Sequence, residues 1–533
     1  MSDTISSDDG APWPLPEEPA YGRFRRFGAG SRTTAMTAAV SLVLLGGVAT
    51  VTARTLAPTA DPADVVPASA FAIAQLDLSL PDGQDDATAH LADRFPGAPK
   101  GSGSIRDRLL RGLLKNSTDP HVDYDTSVKP WLGDHAAVAG WIDSSGAPQA
   151  EYVLQSSDDA AARAAVHKAA PNVGIAFGHG FAVLASSQEL ADAAVRAAAK
   201  SSLSHDATYT GDIGALSGTP LATGWADGPS VVKAFTRMVG DSPEGLQFLT
   251  NSGLAATMTG RVVAGLRVSD DGDNSAVQLD VVNRGGKPGT RSTSTDRLRH
   301  LPATTFVAAA IADPAGIVRD AANVIEGPFG ALFTGFGFGG DFSCDSVSSS
   351  SDGTQDSVQE CSAQPPAPSD PLTALSDATG LSLPNDLVAL LGSDAVIAYG
   401  GLGSDGTPKI GLRSKPADTN AAADVVSKLR NTFGDTGIDL AERVDGGEFV
   451  VATTDDYAAA LAKPGTLGTV ERFADAMHGM PSSVAFAAYV DLGAMLPLIT
   501  KGRAPQFDHL QALGVWSGPV NGMPTTRIRL IVH

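Results

Sequence analysis

Two cysteines, Cys344 and Cys361, are the only thiols in 533 residues, and they enclose sixteen mostly polar residues, "DSVSSSSDGTQDSVQE". Two thiols can form one disulfide but cannot build a cysteine-based zinc knuckle. In an exported chain the pair is expected to be oxidised, closing a loop worth on the order of 3 kcal/mol in the chain-entropy view. Just upstream, Gly335, Gly337 and Gly340 spell a GxGxxG. A dinucleotide site needs a helix directly after those glycines. Here the chain runs into "DFSCDSVSSSS", which is no helix. The same stretch, "GPFGALFTGFGFGG", sets Phe329, Phe333, Phe336 and Phe338 among glycines that resist regular structure. It reads as an apolar contact loop, packed back on the second half of the chain or offered to a membrane or partner.

The remaining chemistry is sparse. The sequence has no HExxH, GxSxG or P-loop. His135, His205 and His509 each adjoin an aspartate, but neighbours along a strand or helix point apart, so these are not dyads. Asp123 and Asp125 resemble half a calcium loop, with Val128 where glycine is required. Carboxylates abound, yet nothing selects a glycosidase pair. The reading is a protein without catalytic, cofactor-binding or metal residues, and not an enzyme.

The surrounding sequence says where such a chain resides. An apolar fraction of 43% suits folded cores, and the length suits two or more domains. A net charge of −21 argues against nucleic acid as a partner. Residues 33–53, "TTAMTAAVSLVLLGGVATVTA", carry no charge and match a bilayer's hydrocarbon thickness of about 30 Å. Arg23, Arg25, Arg26 and Arg32 precede the span and Arg54 follows it, which places the N-terminus in the cytosol and the bulk outside the plasma membrane. A cleaved signal peptide ending at Ala53 is the rival reading. Residues 1–32 read as a disordered proline-rich tail and 54–64 as a linker.

The exported part reads as a repeat. "VVPASAFAIAQLDLS" from Val65 matches "HLPATTFVAAAIADP" from His300. "WLGDHAAVAGWIDSSGAPQ" from Trp131 matches "LLGSDAVIAYGGLGSDGTPK" from Leu390, and "GHGFAVLASSQELADAA" matches "DGGEFVVATTDDYAAALA", with Phe181 set against Phe449. Hairpins alternate with alanine-rich helices whose starts are marked by Ser157–Asp159, by Ser186 with Glu189, and by Thr453 with Asp456. The expected architecture is α+β: a single transmembrane helix, then repeats over 65–285 and 298–533, joined by a polar linker at 286–297. A Ser-rich disulfide-closed insertion occupies 340–370.

The arginine-flanked span followed by "VVPASAFAIAQLDLS", "KPWLG", "GFAVLASSQELADAA" and "LSHDATYTGDIGAL" resembles an uncharacterised, actinobacterial-type membrane-anchored family, domain of unknown function 3352. The resemblance implies an extracytoplasmic protein and carries over no site residues. A non-catalytic binding or scaffold role in the cell envelope, with an unknown envelope protein as partner, is the expected function. A carrier or sensor of an apolar envelope ligand is the alternative, and a cell-wall hydrolase the third reading.

Overall fold

Runs in which every second residue is small and apolar, such as Ala137, Ala139 and Trp141, or Ala308, Ala310 and Ala312, bury one face of a pleated strand. Such strands associate here into one antiparallel sheet. The structure, a computed structural model, describes residues 61–77, 79, 84–94, 106, 107, 111, 124–239, 259–271, 273–285, 291–321, 376, 379–434, 439–500 and 507–533. Residues 33–53, Cys344, Cys361, Phe329, Phe333, Phe336 and Phe338 lie outside the described residues. No described helix is long and apolar enough to cross a membrane.

The strands are β1 (Ala70–Asp77), β2 (Leu132–Ile142), β3 (Pro148–Ser156), β4 (Gly174–Gly178), β5 (Phe181–Ala185), β6 (Ala222–Asp227), β7 (Arg261–Asp271), β8 (Asn274–Arg284), β9 (Thr293–Ser294), β10 (Val307–Ala312), β11 (Asp394–Leu402), β12 (Pro408–Ser414), β13 (Ala441–Asp445), β14 (Glu448–Ala452), β15 (Ser483–Val484), β16 (Phe486–Asp491), β17 (Leu510–Val520) and β18 (Met523–Val532). The helices are α1 (Gln84–Arg94), α2 (Asp159–Ala169), α3 (Gln188–Lys200), α4 (Ala207–Ile213), α5 (Gly228–Val239), α6 (Asp296–Arg299), α7 (Pro314–Ala321), α8 (Asn385–Leu391), α9 (Thr419–Phe433), α10 (Asp455–Leu461), α11 (Glu471–Ala476) and α12 (Leu492–Thr500). The class is α+β.

Among the described residues sixteen strands form the sheet, and β9 pairs separately with β15. Outward from the middle, one side runs β8-β7-β6-β1-β2-β3-β5-β4 and the other β18-β17-β16-β10-β11-β12-β14-β13. In chain terms the two series have the same order. They meet where β8 and β18 pair, with Leu279 opposite Ile528. Each of these is the fifth residue past the first of its strand, Asn274 or Met523, and both strands follow hairpins from β7 and β17. A local two-fold therefore passes through the Leu279–Ile528 pair.

Helices cover both faces. On one, Ala194 of α3 and Tyr209 of α4 pack on Ala139, Val153, Val183 and Trp225. In the other half, Leu461 of α10 and Phe473 of α11 pack on Ala398, Val450 and Trp516. The opposite face carries α2 with Trp131 and Leu154, and α8 and α9 with Leu412, Phe449 and Val451.

Several sequence readings shift. Residues 61–64, read as linker, are folded: Asp61 caps the short 3-10 turn Pro62–Asp64 and Ala63 joins the core. In the 286–297 linker, Thr293 pairs with Val484 and Arg297 is buried. Phe181 packs on the face with α3, whereas Phe449 packs on the face with α9. The two are not counterparts; a one-residue slip moves a side chain to the other face of a strand. Helix α2 is capped at Asp158, as its sequence suggests, by bonds from the Ala160 and Ala161 N–H groups. Helix α3 is capped by Ser187, one residue beyond Ser186, and α10 starts from Thr454 without a side-chain cap bond.

Candidate functional site

Beneath the outer strands of the second half lies a cavity of about 380 Å³. Its floor comes from β10, β11, β12 and β14, and its walls from α7, α8 and α9. These elements meet there because their apolar residues share one side: Leu387, Leu390 and Leu391 on α8, Ile317 and Val318 on α7, Leu429 on α9. Ile397 and Ile410 reach its rim and stay 36% and 39% exposed. Among the described residues the lining holds no charged and no aromatic side chain. Thr453 is its one polar side chain, and that hydroxyl is committed: it donates to the Pro408 carbonyl and accepts from the Ile410 N–H at 3.0 Å. A site with this lining can desolvate an apolar group and has no free donor to orient a polar one.

Polar chemistry elsewhere is of a different kind. Asp212 is buried and takes hydrogen bonds from the Trp225 indole at 3.0 Å, from Arg284 at 2.9 Å and from Arg261 at 2.5 Å. Burial pushes its carboxyl up, but the bonds from Arg261, Trp225 and Arg284 outweigh that and hold it below the ordinary range. Arg297 is buried between Asp394 at 3.1 Å and Glu448 at 3.2 Å, and Glu448 also takes Arg413. The Asp212 cluster ties α4 to β7 and β8, and the Arg297 cluster, with two arginines and two carboxylates, is neutral and links β11, β12 and β14.

The Ser202 hydroxyl lies 2.7 Å from Nδ1 of His205. Among the described residues no carboxylate joins this pair, and Asp206, next to it, is spent capping α4. His135 does not use adjacent Asp134; it faces Asp77 across the β1–β2 pair at 3.6 Å, while Asp134 pairs with Arg106. No group of three or more His, Cys, Asp or Glu is placed to share a metal ion among the described residues.

Among the described residues, one buried carboxyl has no hydrogen-bond partner. Glu151 of β3 is fully buried, and neither oxygen is hydrogen-bonded. Burial pushes its pKa up to about 8, so the group is a neutral acid at pH 7. Strand and helix registers match it to Gly411 of β12, and match Ala194 of α3 to Leu461 of α10. A Cβ on Gly411 would lie 2.2 Å from Leu461 Cδ1. The halves thus differ at this matched strand position, with a buried Glu in one and a Gly against Leu461 in the other.

Sequence reasoning found neither the cavity nor Glu151. Trp131 and Trp141 are both buried.

No protein-family model matches the chain, and no curated protein matches it. A solved structure described as "Structure of crystal form III of TP0453" is similar over 43% of this chain and 82% of its own, at 9% identity and a TM-score of 0.21.

Proposed function

We propose that this is a non-catalytic binding protein of the cell envelope whose second half takes up an apolar ligand. The observation that carries the reading is the cavity among β10, β11, β12, β14, α7, α8 and α9, with its aliphatic lining and its single, already satisfied hydroxyl. Its volume falls within the range of small-molecule sites. The charge-free stretch at 33–53, flanked by arginines, supports a retained single-pass anchor with the N-terminus in the cytosol and the rest outside. The matching strand orders about the Leu279–Ile528 pair support an ectodomain made of two copies of one unit. Cys344 and Cys361 form its disulfide under this reading, and Phe329, Phe333, Phe336 and Phe338 an apolar contact loop.

The test is uptake of cis-parinaric acid by the purified full chain, followed by the probe's fluorescence. Saturable binding of one probe per chain supports the reading; absence of saturable binding refutes it. A second reading, a scaffold for an envelope protein, is favoured by α12, an apolar helix without a buried residue, where Leu498 is 46% and Ile499 68% exposed. Crosslinking in intact cells tests it: a partner linked to α12 supports it, and linkage to abundant bystanders alone counts against it.

A further inference from the structure

The two halves differ at the cavity. Trp131 leads into β2 as Leu390 leads into β11, and Trp131 packs on Ala162 as Leu390 packs on Ala422. Ala162 and Ala422 each sit four residues past the aspartate that caps their helix, Asp158 or Asp418. Tyr152 and Leu412 are likewise matched, each the fifth residue of a strand that opens on proline. Where the first half has an indole and a phenol, the second has two leucines lining a cavity. The helices that follow β1 and β10 also differ. Helix α1 lies over β7 and β8, with Leu91 among Leu221, Val268 and Val532, whereas α7 lies against α8 and β11 and walls the cavity.

From these differences we infer that the second half is built as a binding site, that Leu390 and Leu412 set its depth, and that its ligand is the flexible alkyl chain of an amphiphile. This rests on the reading of the protein as an apolar-ligand binder. Among the described residues the lining offers no ring for a flat ligand to stack on and no free hydrogen-bonding group for a polar one. A methylene needs about the room of a water molecule, roughly 30 Å³, so the cavity accommodates on the order of a dozen chain carbons. Any charged head stays outside, because no lining residue offers an opposite charge. The exposed rim at Ile397 and Ile410 is where the chain emerges.

The side chains of the first half supply the test. Leu390→Trp and Leu412→Tyr each install the residue that the other half already accommodates at the matching place. In the full chain, dodecanol should displace cis-parinaric acid, and each variant should weaken probe binding at least tenfold while melting within about 5 °C of wild type. A folded variant that binds as tightly as wild type overturns the inference and leaves the proposed function standing. Wild-type protein that takes up no probe removes the proposed function itself. Should both variants fail to fold, a twelve-carbon alcohol carrying a photoreactive diazirine decides on the wild-type chain. Label on α7, α8 or β12 upholds the inference, and label confined to other elements overturns it.

Discussion

Replacing Glu151 by glutamine should remove a pH dependence that the rest of the fold does not share. The carboxyl has no partner at either oxygen, and burial alone raises its pKa from 4.5 to about 8. Unfolded, the side chain gives up its proton near pH 4.5; folded, it keeps it up to about pH 8. Between those values the folded state binds the extra proton, so stability is fully present below pH 4.5 and falls as pH rises towards 8. Each pH unit is worth about 1.4 kcal/mol, so the whole span is worth roughly 5 kcal/mol and pH 7 retains a penalty of about 3 kcal/mol. Glutamine fills the same space and cannot ionise. Urea unfolding followed by tryptophan emission suits the measurement, because Trp131, Trp141 and Trp225 all sit in the half that contains Glu151. Between pH 5 and pH 8 the wild-type chain should lose about 3 kcal/mol or more relative to Glu151→Gln. Parallel pH profiles for the two proteins would show that the carboxyl is solvated or paired, and would refute this account of the first core.

Other substitutions probe the same construction. Gly411→Ala should destabilise the second half by about 1–3 kcal/mol through overpacking against Leu461, and adding Leu461→Ala should recover part of the loss, read as a coupling energy in a double-mutant cycle. Asp212→Asn should cost about 3–5 kcal/mol in unfolding free energy, because two arginines and an indole lose a charged acceptor in a buried site. The Gln188 amide accepts from the Ile175 N–H at 3.1 Å and donates to its carbonyl at 3.0 Å, as a neighbouring strand would, so Gln188→Ala should expose the β4 edge and raise aggregation in light scattering.

What could be read from the sequence was whatever a local pattern encodes. Asp158 before an alanine-rich run announces a helix start by its chemistry alone. Glycine at 146 and at 406 marks the two matching hairpins because each adopts a positive φ, +83° and +84°. Alternating apolar residues gave the strands and hence the α+β class. Comparison of the halves failed where period two makes neighbours opposite. "GFAVLA" and "EFVVAT" align by eye on their phenylalanines, yet Phe181 and Phe449 face different helices. Glu151 was invisible for a related reason: a single acid in "PQAEYVLQS" looks like the solvent side of a strand, yet its side chain is fully buried.

The cavity lies furthest from any local signal, because it depends on where a helix lands. Helices α1 and α7 each follow the strand that begins their half's inner pairings, β1 and β10, and both are short and amphipathic. Helix α1 buries Ala87 and Leu91 over β7 and β8, near the seam where the halves join. Helix α7 instead begins at Asp313, whose φ of +47° turns the chain towards α8, and the Asp313 side chain then accepts from the Gly316 N–H. A side chain at 316 would meet the Asp313 carboxylate, with an ideal Cβ 2.1 Å from Oδ2, so Asp313 would have to shift and give up its bond from the Gly316 N–H. Gly392 fixes the other side of the same corner at a φ of +63°, where a Cβ would meet the Lys415 carbonyl at 1.9 Å. These two glycines, unremarkable in a chain with 58 of them, let α7 and α8 come together over β11. The cavity is thus a consequence of backbone geometry at one corner combined with Leu390 and Leu412 where the first half has Trp131 and Tyr152. Substituting either glycine by alanine should therefore disturb the cavity as well as stability, and loss of probe uptake at a temperature where the fold persists would separate the two effects.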